Sequence, residues 1–266
     1  MGFDREMGRL FSIIFALLLC AGCSGEKKLS PPKRIASLCT AGSAVLCSLG
    51  IPPAAVDHYS VPVVPEGTAV IGKGSVVSAE KIVELGIDAL LVWSYQMPAV
   101  EHLERFGIRV IALDPVRLKG FPGMVEKLGR LTGKEGEARQ LAEKYEKLLH
   151  FPESAPKKPK RVYLELYTSN RGAGDLSYAG DLLKAAGGRS ILEKSTLTGS
   201  EHIITRDPEV IFFVEGFTTA EEIMKRQGFS VIEAVKRKAV FPVPRRLLVE
   251  GAFPVEAVEY FKKRMN

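Results

Sequence analysis

Residues 78–93 read SAEKIVELGIDALLVW, and residues 199–214 read GSEHIITRDPEVIFFV. Aligned on Glu80 and Glu201, an offset of 121 positions (80 to 201), Ile82 falls on Ile203, Val83 on Ile204 and Asp88 on Glu209, while Leu90–Val92 falls on Ile211–Phe213. Each segment predicts a short helix, a tight acidic turn and an apolar run long enough for a parallel strand buried on both faces. Helix-turn-strand recurs by chance in any α/β chain. A glutamate, an apolar pair, an acid and a strand in one register argue instead for duplication, and a unit present once in each half implies two similar lobes. A ligand between such lobes is gripped from both sides.

At the N-terminus, Arg5 and Arg9 precede an apolar run from Leu10 to Leu19, followed by Cys20, Ala21, Gly22, Cys23 and Ser24. A helix that spans a bilayer takes about 20 apolar residues. This run is shorter and has the layout of a secretory signal. A cysteine directly after Ala21 and Gly22 resembles a bacterial lipoprotein signal, with Cys23 as the acylated first residue of the mature chain. Cys20 stands where that pattern usually has leucine. The alternative is an ordinary cleaved signal with an incidental cysteine, and both readings export the protein. Residues 1–22 are then the signal and residues 23–33 a flexible polar tether.

About 240 residues follow, enough for one large domain or two lobes with cores of their own. Lys and Arg number 37 against 31 Asp and Glu, a net charge of +6, and the two acids and two arginines of the signal cancel. Such an excess attracts an anionic small ligand or an acidic surface. The basic residues form no block with interleaved aromatics, which argues against nucleic acid. Cys39 and Cys47 are the cysteines left in the body, too few for a zinc site. They pair only if their Cα atoms lie within about 7 Å; otherwise they are buried free thiols.

The hydrophobic pattern divides the mature chain into an N-terminal α/β lobe (34–118), a linker helix region (119–158) and a C-terminal α/β lobe (159–266). In the first lobe, strands are expected at 34–38, around 56–59, at the end of the repeated unit and at 108–113, with helices ending at Leu49 and over 99–106. Alternating strands and helices mean a mainly parallel sheet covered on both faces. In the linker, Met124, Val125, Leu128 and Leu131 share one helical stripe, and Ala138, Leu141, Ala142, Tyr145, Leu148 and Leu149 another. A helix from Lys134 to His150 is about 25 Å long at 1.5 Å per residue and suits a brace between lobes; the alternative is an ordinary crossover helix within one sheet. The second lobe repeats the plan, with strands at 161–167 and 239–243 and helices at 178–186, 220–225 and 255–265. The expected class is α/β, with two lobes, each a mainly parallel sheet flanked by helices, a long backbone helix joining them and a ligand cleft between.

Five segments in this order, RIASLCTAGSAVLCSLG (34–50), EKIVELGIDALLV (80–92), KLGRLTGK (127–134), LLKAAGG (182–188) and SEHIITRDPEVI (200–211), resemble the helical-backbone class of substrate-binding proteins of bacterial ABC importers. That group carries ferric siderophores, haem and vitamin B12, and the resemblance covers essentially everything after residue 33. It implies an extracytoplasmic binding protein, periplasmic or at the cell surface, monomeric and lipid-anchored to the membrane. It also implies that the protein performs no bond chemistry, has no cofactor of its own, and delivers a small-molecule metal chelate to a permease dimer in the inner membrane. In the family one glutamate per lobe docks into arginine pockets of the permease. The matching positions are Glu80 and Glu201, both in first helical turns, where a carboxylate accepts a bidentate arginine well. Acids are also favoured there by the helix dipole alone, by about 0.3–1 kcal/mol; recurrence in both halves favours docking.

In open parallel sheets, ligands bind beyond the carboxyl ends of the strands. These ends place Cys39, Thr40, Tyr59, Lys73, Trp93 and Tyr95 on the cleft side of the first lobe. In the second they place Tyr167, Asn170, Arg171, Phe217, Arg245 and Arg246. Tyr59 and Trp93, the single tryptophan, fall where the vitamin B12 binder of the family has aromatic cleft residues. Flat aromatic walls suit a corrin, a porphyrin or a catecholate; ordinary core packing is the competing reading for Trp93. Arg171, Arg245 and Arg246 suit ligand carboxylates or phosphate, or else form a solvated basic loop.

Residues 67–74 (GTAVIGKG) nearly match a phosphate-binding P-loop, but Gly74 replaces the hydroxyl residue that holds magnesium, and the segment reads as a cleft loop. His58, His102, His150 and His202 are scattered, which argues against a bare zinc or manganese site and shifts the cargo toward a prechelated metal. Iron-siderophore and cobalamin stand ahead of haem. Two alternatives are a binder for an oxyanion such as molybdate, which leaves the aromatics unexplained, and an exported α/β hydrolytic enzyme with Asp114, Glu215 and Tyr167 as acid-base groups.

Overall fold

In the computed structural model, the first lobe runs β1 (Ile35–Ser37), α1 (Thr40–Ser48), β2 (Ala55–Asp57), β3 (Ala69–Lys73), β4 (Val76–Val77), α2 (Ala79–Glu84), β5 (Ala89–Trp93), α3 (Met97–Val100) and β6 (Arg109–Leu113). Its strands form one sheet in the order β4-β3-β2-β1-β5-β6, parallel except for the β3–β4 hairpin. The structure describes residues 30–149 and 158–266. The signal 1–22, Cys23, most of the tether, and 150–157 at the end of the linker, His150 included, lie outside the described residues.

Two helices form the connector, α4 (Phe121–Thr132) and α5 (Glu135–Leu149). Gly133, with φ of 71°, closes the first of them in the left-handed conformation that glycine adopts without a steric penalty. The two helices pack closely at Gly129, where a Cβ would lie 2.3 Å from that of Ala138.

The second lobe contains β7 (Lys160–Glu165), β8 (Arg171–Gly172), α6 (Tyr178–Ala185), β9 (Gly188–Ser190), β10 (Thr196–Leu197), α7 (Ser200–Arg206), β11 (Val210–Val214), α8 (Ala220–Met224), α9 (Glu233–Lys236), β12 (Val240–Val243) and α10 (Pro254–Met265). Its sheet has the order β10-β8-β7-β11-β12, with β9 also paired to β7. The β7, β9, β11 and β12 pairings are parallel, and β8 and β10 are antiparallel additions.

The repeated unit lies at the centre of both lobes. All five residues of β5 and all five of β11 are buried, as expected of parallel strands covered on both faces. Alternate residues feed different cores. Leu90 and Val92 join Ile82 of α2 in an outer core of the first lobe, and Ile211 and Phe213 join Ile203 of α7 in an outer core of the second. The intervening residues, Leu91 and Trp93 in one strand and Phe212 and Val214 in the other, enter a single cluster that continues through the connector. Val45 of α1, Phe121 and Val125 of α4, Tyr145 of α5, Leu182 of α6 and Phe261 of α10 all belong to it. One apolar core thus fastens both lobes to the helical brace.

Several local expectations change. Residues 67–74 are mostly strand rather than loop. Gly72 is required there because a Cβ would lie 2.1 Å from the carbonyl oxygen of Val76 across the hairpin. Tyr59 lies beyond the strand, in a 3-10 helix over His58–Val63. The helix expected over 99–106 is a short α-turn followed by a 3-10 stretch. Cys39 and Cys47 are free thiols; eight residues along one helix separate their positions by about 12 Å, well beyond disulfide reach.

Candidate functional site

At the end of β2, Asp57 organises the first wall. Its buried carboxylate accepts from the backbone N–H and hydroxyl of Ser60, at 3.0 and 2.7 Å, and from the N–H of Gly74 at 3.2 Å. Desolvation pushes the Asp57 pKa upward against these bonds. The acid therefore ties the β2 end to the 3-10 helix bearing Tyr59 and to the hairpin bearing Lys73. The Lys73 ammonium stands 5.8 Å from the centre of the Tyr59 ring, within cation–π range. Thr40, half-buried, lies beside Ser60 at 3.4 Å.

Beyond β5, Trp93 and Tyr95 stack with ring centres 6.5 Å apart and planes 16° from parallel. Only 7% of Trp93 is exposed against 68% of Tyr95. The tryptophan is thus a core residue capped by the tyrosine, and Tyr95 presents the aromatic surface. Cys39 is wholly buried and accepts the Gly42 N–H at the start of α1, at 3.2 Å. It is a helix cap rather than a cleft-lining residue.

The second wall has matching parts. Tyr167 and Phe217, following β7 and β11, meet edge to face at 5.2 Å and are 41% and 48% exposed. The Arg245 guanidinium lies 5.5 Å from the Tyr167 ring centre. Each lobe therefore carries an exposed tyrosine with a cation over it, as Tyr59 is 49% exposed. Arg171, in β8, is exposed. Arg246 is committed elsewhere, since it pairs with Glu256 at 2.9 Å and stacks on Phe253.

Asn170 is also part of the scaffold. It adopts φ of 60°, and its N–H donates to Glu165 at 2.9 Å. Its side chain reaches Ser200 at 3.5 Å and Arg226 at 3.4 Å. Glu165, 1% exposed, receives two bonds from Arg226, at 2.6 and 2.7 Å, and a third from Tyr163 at 3.2 Å. This network fixes the loop that carries Tyr167.

Glu250 follows the 3-10 helix Arg245–Leu248 and is exposed. Burial pushes the Cys39 thiol far up and desolvation raises Tyr95; the charge of Glu250 adds to both shifts. Sequence reasoning missed Asp57, Glu165, Arg226 and Glu250. An acid at the end of the apolar strand 160–165 signals Glu165 and an acid before glycine signals Glu250, whereas nothing local marks Arg226.

Glu80 and Glu201 are both exposed in the first turns of α2 and α7. A cavity of about 680 Å³ lies between Val116–Gly120, Leu148 and the α6 residues Asp181, Lys184 and Ala185. Among the described residues, no three His, Cys, Asp or Glu side chains are grouped to hold a bare metal ion.

The sequence model of the periplasmic binding protein family matches residues 35–247. The chain belongs to the periplasmic binding protein family. As a member it is a solute-binding protein that acts outside the cytoplasm, not an enzyme. No curated protein matches the chain in sequence. Solved structures share its fold. The periplasmic haem-binding protein HutB of Vibrio cholerae aligns with a TM-score of 0.76 at 18% identity, over 87% of this chain and 98% of that one. The vitamin B12-binding protein BtuF of the same species gives 0.70 at 18%, over 88% and 97%. IsdE of S. aureus, solved with haem, gives 0.71 at 20%, over 87% and 98%.

Proposed function

We propose that this binding protein captures a prechelated metal, an iron-siderophore complex or cobalamin ahead of haem, and hands it to an ABC permease while tethered to the membrane by lipid on Cys23. The observation that carries the reading is the matched pair of cation-topped tyrosines, Lys73 over Tyr59 and Arg245 over Tyr167, one pair per lobe. With Tyr95 and Phe217 they supply flat apolar faces and positive rims, which suit a large conjugated or aromatic chelate with acceptor groups at its edge. The names of the structural neighbours, binders of haem and vitamin B12, agree with this class of cargo. Arg246 is paired with Glu256, which leaves fewer free arginines for a simple oxyanion. Exposed Glu80 and Glu201 serve as the docking carboxylates for permease arginines.

The test is titration of the full-length protein, in mild detergent, with ferric siderophores, cyanocobalamin and haemin. Quenching of Trp93, the single tryptophan, and a rise in melting temperature are expected with one of them. If none changes either signal, this cargo class is wrong.

A further inference from the structure

The duplicated unit extends upstream of its helix. At the same offset of 121 positions, Lys73 falls on Lys194, Val76 on Leu197 and Glu80 on Glu201. Both lobes therefore read lysine, an aliphatic residue and glutamate at one spacing. Folding leaves the aliphatic side chains outside: Val76 is 79% exposed and Leu197 61%. Each lies on a short strand, β4 or β10, that forms the edge of its sheet and runs antiparallel to its neighbour.

Each also stands opposite a cation. In the strand pairings Val76 is the partner of Lys73, and Leu197 is the partner of Arg171. Directly opposed residues share one face of a sheet, and both cations are exposed. In the second lobe the opposed cation is Arg171 and not the matching Lys194, so the arrangement is not simply copied with the sequence. A lone exposed aliphatic residue is ordinary. Two at matching positions, each on an edge strand, beside a cation and ahead of the same exposed glutamate, form a repeated patch. An exposed apolar edge also invites unwanted strand pairing, and its presence in both lobes argues for a use.

We infer that Val76 and Leu197 are the apolar anchors of the permease-docking surface, each seated in an apolar depression of one permease subunit. The inference rests on the docking role given above to Glu80 and Glu201 and extends it. A dimer presents the same surface twice about a two-fold axis. A single chain that spans it needs the same contact once in each half, and the duplication supplies that contact. An apolar centre with a charged rim is the anatomy of a protein interface. Lys73 and Arg171 complete the rim beside the anchors, and Glu80 and Glu201 follow them in the chain.

Photo-crosslinking in the host cell tests this. A benzophenone-bearing phenylalanine replaces one residue at a time in the full-length protein, at Val76, Leu197, Lys81, His202 or Phe106, and mass spectrometry identifies the attached chain. Lys81 and His202 directly follow the two glutamates. Phe106, 59% exposed, lies before the amino end of β6 and serves as the control. Val76 and Leu197 are each expected to attach the same permease polypeptide, and Phe106 is not. With that permease in lipid nanodiscs, Val76→Ser and Leu197→Ser should each weaken docking by about tenfold, with melting temperature reporting that the variants fold. Attachment of the permease from Lys81 and His202 but not from both anchors overturns the inference and leaves the glutamate docking standing. Attachment of a second copy of this chain at the anchors, equal attachment from Phe106, or serine variants that dock within about twofold of wild type overturn it too. If none of the four patch positions attaches a permease, the docking reading fails and the inference with it.

Discussion

Glu209 makes in the second lobe the bond that Asp88 makes in the first. The Asp88 carboxylate accepts the backbone N–H of Arg34 at 2.9 Å, and the Glu209 carboxylate accepts that of Arg161 at 3.0 Å. Both acids stand in the turn of the repeated unit, and the donors lie just before or at the start of the first strand of their lobe. The arginines answer alike: Arg34 donates through Nε to the carbonyl of Leu85, and Arg161 to that of Asp207. Each lobe thus has the same clasp between its first strand and its buried central strand. Asp88→Ala and Glu209→Ala are each expected to cost about 1–2 kcal/mol, a fall of about 2–8 °C in melting temperature. The double variant should be additive, because the sites share no partner. Thermal unfolding followed by circular dichroism measures both.

Two glutamates give stability opposite dependences on pH. Partial burial opposes ionisation of Glu209, but the Arg161 N–H bond and the charges of Lys160 and Arg161 prevail and hold its pKa down. Its contribution is present above the unfolded-state value, about 4.3, and is lost as pH falls through the lower folded value. Desolvation raises Glu250 instead. Its contribution is present below about 4.3 and is lost as pH rises through the higher folded value. Glu209→Gln should therefore narrow its stability gap from wild type in acid. Glu250→Gln should be more stable than wild type at neutral pH, with the advantage fading in acid. Denaturant titrations at several pH values read both.

Gly251 donates to the Tyr178 hydroxyl, accepts from the Tyr145 hydroxyl and is covered by Phe121, and Gly251→Ala tests this aromatic cage without altering charge. The new methyl must displace Phe121, and the positive φ adds backbone strain. A loss of about 2–4 kcal/mol is expected. Tyr145→Phe, which removes a single bond to the Gly251 carbonyl, should cost about 1 kcal/mol.

Arg226→Ala strands the buried Glu165 carboxylate and is expected to cost about 3–5 kcal/mol. Because Glu165 also holds the N–H of Asn170, the loop bearing Tyr167 loosens. Amide hydrogen exchange at 167–171 should accelerate more than exchange in β5 of the other lobe.

Local pattern made the framework legible in the sequence. Five consecutive apolar residues in β5 and in β11 reveal buried parallel strands, and the stripes at 124–128 and 138–148 reveal the brace. The β3–β4 hairpin escaped because Val70 and Val76 are exposed and the glycines at 72 and 74 read as loop. Wall residues were legible as types at strand ends, but which of them face outward depends on tertiary contacts. Trp93 sinks beneath Tyr95, Arg246 turns to Glu256, and Asn170 is engaged by Arg226, 56 positions away.

The most direct measurement is a crystal structure of the protein with whichever chelate binds it most tightly. The cargo is predicted to lie between Tyr59 and Tyr95 on one side and Tyr167 and Phe217 on the other. Cargo seated instead in the cavity beside Arg117 and Lys184, or bound to one lobe alone, would contradict the two-walled site.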